Sequence, residues 1–81
     1  MDQKTIHAIM EEITELYDQK PYLSINDYYI CRCDVFVHLS HLGDGSIQFI
    51  LAIAKKYDVH WVIQPQCSVD GDIAINFYGG K

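Results

Sequence analysis

The chain has 81 residues, 49% of them hydrophobic, which sets one small globular domain with a single modest core and leaves no room for a cleft between two domains. Eleven acids against six Lys and Arg give a formal charge of −5, a balance that argues against nucleic-acid binding, which calls for a basic patch. No apolar run approaches the roughly 20 residues of a membrane span. Three cysteines are too few and too odd for a paired disulfide framework, and the opening MDQKTIHAIMEEI mixes acids into its apolar residues unlike a signal peptide, so a reducing cytoplasm is the expected home.

Residues 4–18 predict a helix, because Ile6, Ile9, Met10, Ile13, Leu16 and Tyr17 recur at three- and four-residue steps and form one stripe. Pro21 ends it by pushing Lys20 out of helical angles. Residues 22–25 predict a short strand, with Asn26-Asp27 as a two-residue turn into a second strand over 28–39. Alternation there puts Tyr29, Cys31, Cys33, Val35, Val37 and Leu39 on the core face and Tyr28, Ile30, Arg32, Asp34, Phe36 and His38 outside. Twelve residues is long for a strand, which predicts a bend or bulge near Asp34.

Ser46, after Gly43-Asp44-Gly45, is the expected N-cap of a second helix over 47–57, which is apolar on most of its circumference. Residues 59–66 and 72–78 predict two further strands. A three-residue loop with Gly71 left-handed pairs Ile73, Ile75 and Phe77 with Cys67, Pro65 and Ile63, which keeps one face apolar. Pro65 cannot donate to a ladder and predicts an edge strand or a bulge. The expectation is an α+β domain spanning residues 1–81, ordered αββαββ, with a mainly antiparallel four-stranded sheet and two helices on one face. A forty-residue shift lays Ile13 on Ile53, Tyr17-Asp18 on Tyr57-Asp58, Leu23 on Ile63 and Val35 on Ile75, which suggests two similar αββ halves.

The stretch CRCDVFVHL, residues 31–39, followed by Ser40 and His41, offers four metal-ligand types within eleven residues. Alternation sends Cys31 and Cys33 to the core face and His38 to the other, and a straight strand cannot bring all four within the roughly 2–2.3 Å of one metal. Buried structural cysteines are therefore the expectation, with no metal, no cofactor and no catalytic group; Cys67 is the one cysteine expected near the surface. The Gly43-Asp44-Gly45-Ser46 turn lacks the lysine of a phosphate loop, and Asp44 would repel an anion, so it reads as an ordinary loop.

Two surfaces remain. Glu11, Glu15 and Asp18, with Glu12, lie opposite the apolar stripe of the first helix and form an acidic ridge suited to a basic partner. The sheet face away from the helices is expected to show Tyr28, Arg32, Phe36, His38, His60, Asn76 and Tyr78, along with Ile30, Val62 and Gln64. Such a patch marks a contact, and with Arg32 as its single cation it suits a protein better than RNA. The leading expectation is a non-enzymatic inhibitor, adaptor or regulator that binds another protein. Short acidic chains carried by phages and mobile elements are similar in size and charge alone. The alternatives are a small metal or thiol protein, or an enzyme, using Cys31, Cys33, His38 and His41, and a homodimer joined through the sheet or the second helix.

Overall fold

The stripe of isoleucines closes onto a core as predicted, in helix α1 (Gln3–Gln19), whose Ile6, Ile9 and Ile13 are buried. A computed structural model describes residues 1–40, 45–65 and 73–79. Asp2 caps α1: its carboxylate accepts the Thr5 amide at 2.8 Å, and that bond holds the Asp2 carboxyl below its usual range. After α1 come β1 (Ile25–Cys31), β2 (Asp34–Leu39), α2 (Ser46–Lys56), β3 (His60–Pro65) and β4 (Ile73–Tyr78). The strands make one antiparallel sheet in the order β1-β2-β4-β3. Ile6, Ile9, Ile13, Ile50 and Ile53 from the helices join Val35, Val37, Leu39, Ile75 and Phe77 in a single buried cluster, so both helices cover the same face. No helix among the described residues is long and apolar enough to cross a membrane.

The first hairpin departs from expectation. Residues 28–39 are not one strand: the chain reverses at Arg32 and Cys33, and Cys31 directly faces Asp34. Arg32 takes a φ of 59°, the left-handed region that a two-residue hairpin demands at its first turn position. Opposed residues share a face, so Tyr28, facing Val37, and Ile30, facing Val35, belong to the helix side. Tyr29 and Cys31 belong to the open side, with Phe36 and Asp34. The predicted faces hold for β2 and are inverted for β1. Asn26-Asp27 is a bulge inside β1, not a turn: the register shifts between Ile25 and Asp27, the Asn26 side-chain Oδ1 accepts the Ser40 hydroxyl at 2.6 Å, and the Asp27 carboxylate accepts the Tyr28 amide at 2.8 Å.

The second hairpin keeps its faces and slips its register. Ile73, Ile75 and Phe77 face Pro65, Ile63 and Trp61, two residues from the predicted pairing with Cys67, Pro65 and Ile63. A slip of two leaves every side chain on its own face. Pro65 does lie on an edge strand. Cys67 and Gly71 lie outside the described residues, as do His41, Gly43 and Asp44.

Helix α2 starts one residue earlier than predicted. Gly45, at φ 89°, is its N-cap and makes no side-chain cap. Ser46 is instead fully buried in the first turn, where its hydroxyl accepts the Ser24 amide at 3.0 Å and ties the approach to β1 onto α2. The helix ends with Asp58 left-handed at φ 54°, the Val59 amide bonding the Ala54 carbonyl at 3.1 Å and the Asp58 amide the Lys55 carbonyl at 3.3 Å. That pair of bonds satisfies carbonyls the helix would otherwise leave orphaned.

Candidate functional site

The pairing lays the open face out in rows that cross all four strands. Tyr29, Phe36, Asn76 and Val62 form one row, and Asp27, His38, Ala74 and Gln64 form the next. Tyr78 stands opposite His60 beyond the first row. Cross-strand neighbours on one face stand about 4.5–5.5 Å apart at Cβ, close enough for rings to pack. Tyr29 stacks on Phe36 with centroids 5.4 Å apart and planes 14° from parallel. Its hydroxyl lies 3.1 Å from Nε2 of His38, and the His60 and Tyr78 rings are 5.3 Å apart. Tyr29, Val62 and Tyr78 keep 40%, 38% and 38% of their surface exposed, so the rings pack on one another while remaining open to a partner. Ala74 is fully buried between His38 and Gln64, which makes the second row a shallow trough.

In the middle of the first row, between Phe36 and Val62, the Asn76 side-chain carbonyl is buried with no hydrogen-bond partner among the described residues. An unmet acceptor of this kind costs about 1–3 kcal/mol.

Of the residues predicted for this face, Phe36, His38, His60, Asn76 and Tyr78 are on it, and Arg32 stands exposed at its corner in the hairpin turn. Tyr28 is not. It lies half-buried on the helix side, its ring 5.7 Å from that of Tyr17. Tyr29 takes its place and was missed because nothing in Cys31-Arg32-Cys33-Asp34 spells a turn; the twelve-residue length of the predicted strand was the signal available. Trp61, 44% exposed, is the other omission: it faces Phe77 on the helix side, on the edge strand β3.

The cysteines also change place. Cys31 and Cys33 are not in the core; both are exposed free thiols at the end of the first hairpin. No three His, Cys, Asp or Glu side chains converge as a metal site among the described residues.

On α1, Glu11, Glu15 and Asp18 are exposed, with Glu15 accepting the Gln19 amide at 3.3 Å. Glu12 leaves this ridge. It turns to α2, accepts the Tyr57 hydroxyl and lies 3.0 Å from the Lys56 ammonium. Partial burial pushes its carboxyl up, but the bonds to Tyr57 and Lys56 outweigh burial and hold it below the usual range. The same bonds raise Tyr57 and Lys56. Beside this clasp runs a groove of about 330 Å³ floored by Leu16, Phe49 and Ile53, with Lys20 reaching over the Phe49 ring at 5.3 Å.

No protein-family model, curated protein or solved structure matches the chain.

Proposed function

We propose that this chain is a small non-enzymatic binding module that docks on another protein through the open face of its sheet, acting in the cytoplasm as an inhibitor, adaptor or regulator. The observation that carries the reading is the row Tyr29–Phe36–Asn76–Val62 with Tyr78 and His60 beside it, an aromatic surface on which neither helix packs. Aromatic residues are enriched where proteins meet, because a large rigid ring buries much area for little lost entropy. The excess of five negative charges and the ridge of Glu11, Glu15 and Asp18 favour a partner with a basic surface and speak against nucleic acid.

The two αββ halves belong to the same reading as an internal repeat. The forty-residue shift carries Ile13 onto Ile53 and Val35 onto Ile75, all buried, and carries Phe36 onto its own cross-strand partner Asn76, as a two-fold axis between β2 and β4 would.

The test is capture from the native host with wild type and two variants, followed by mass spectrometry and titration of the protein found. Phe36→Ala with Tyr78→Ala is expected to lose the partner, each change costing more than about 1 kcal/mol with little salt effect. Reversing Glu11, Glu15 and Asp18 to Lys is expected to slow association and flatten its salt dependence. Full affinity in the face variant, with the fold intact by circular dichroism, would rule out the open face.

A further inference from the structure

We infer that Cys31 and Cys33 form a two-thiolate site for a soft monovalent metal ion, copper(I), at the end of the first hairpin. Free cysteine is among the most buried of residue types, yet both of these are exposed, and only Arg32 separates them. Neither thiol contributes to the core cluster, so packing does not account for the pair.

Chain geometry keeps their Cα atoms within about 7 Å, the reach of two residue steps. A disulfide demands sulfurs about 2.05 Å apart and a narrow range of torsion, and both thiols stand free here. A metal ion relaxes that demand. Two metal–sulfur bonds of about 2.3 Å each let the sulfurs stand up to about 4.6 Å apart.

Coordination number selects the ion. Zinc takes four ligands in a structural site, and no third His, Cys, Asp or Glu joins the two thiols in a metal-binding group among the described residues. Asp34, which directly faces Cys31, offers hard oxygen that suits magnesium or calcium. Soft thiolate favours copper(I), which is content with two ligands. A copper(I) bis-thiolate carries one net negative charge, and the guanidinium of Arg32 belongs to the same turn. Each thiol releases its proton on binding, so affinity falls as pH falls. The site does not depend on the docking reading, because it uses no residue of the aromatic row.

Reduced, oxygen-free protein titrated against copper(I) held by a chromophoric chelator tests the assignment. Wild type is expected to withdraw one ion per chain, seen as loss of the chelate colour. Cys31→Ser and Cys33→Ser are each expected to weaken binding about a hundredfold, as loss of one arm of a two-arm chelate does, while Cys67→Ser leaves it unchanged. Circular dichroism of the serine variants should match wild type, since both thiols face solvent. Copper left with the chelator by wild type, wild-type affinity in the double serine variant, or loss of binding in Cys67→Ser would each overturn the site.

Discussion

Arg32 and Cys33 alone join β1 to β2, whereas seven residues of sequence, 66–72, separate β3 from β4. In the first hairpin the length of the turn dictates the faces: one residue more in it, with β2 held in place, would carry each β1 side chain to the opposite face. In the second, β4 lies between β2 and β3, and its alternation of Ile73, Ile75 and Phe77 against a buried β2 sets the face independently of how the chain connects. Faces are robust where a strand is central and fragile where an edge strand hangs from a tight turn.

The largest effect is expected in β2, the strand whose faces do not depend on either turn. Val35→Asp places an unpaired charge at a fully buried position, a cost of several kcal/mol against a total stability of about 5–15, and is expected to unfold the domain. Asp34→Ala, one residue away on the other face, is expected to shift a denaturant melt by less than about 1 kcal/mol. The reverse order would mean that β2 is turned over.

The next effect concerns how the first hairpin is anchored. Ser46→Ala removes the acceptor of the Ser24 amide and is expected to cost about 1–3 kcal/mol, with faster amide exchange at Ser24 while the β3–β4 amides stay protected.

A smaller effect lies in the clasp between α1 and α2. Glu12 titrates low in the folded state, so its stabilisation is present above its unfolded value of about 4.3 and is lost as pH falls through the lower folded value. Tyr57 and Lys56 are raised, and their share is lost only as pH rises through their alkaline folded values. Glu12→Gln is expected to cost about 1 kcal/mol at pH 7 and progressively less as pH falls through the lowered folded value of Glu12, measured as paired melts.

The smallest is a gain. Arg32 holds a left-handed backbone that costs an ordinary residue about 1–2 kcal/mol, while glycine brings a penalty of about 0.5–1 in unfolded-chain freedom. Arg32→Gly is therefore expected to stabilise by up to about 1 kcal/mol. Destabilisation would show that the arginine side chain holds the turn in some other way.

How much of this was legible in the sequence follows from the same physics. The α1 stripe, the alternation of β2 and β4 and the edge position of Pro65 could be read because burial on one side imposes a period or forbids a donor. The two-residue turn at Arg32 and Cys33 could not, since neither residue has the left-handed preference of Gly or Asn. The strong local signal, Asn26-Asp27, produced a bulge instead. From that one misplacement followed the exchange of Tyr28 for Tyr29 on the open face and the mistaken burial of Cys31. The Ser46 reading failed for another reason: a hydroxyl that caps a helix from outside can, one residue later, serve a neighbouring strand, and only the fold brings Ser24 within reach.

The two outer strands of the sheet have a consequence for the life of the protein in a crowded cell. Any four-stranded sheet that does not close offers two rows of unpaired backbone groups, and these are templates for stacking into fibrils. Here β1 is broken near its start by the bulge at Asn26, and β3 ends on a proline that has no amide to give. Neither border presents an unbroken ladder to a passing chain, which blunts strand-to-strand pairing along the narrow sides of a sheet whose broad side displays aromatic rings.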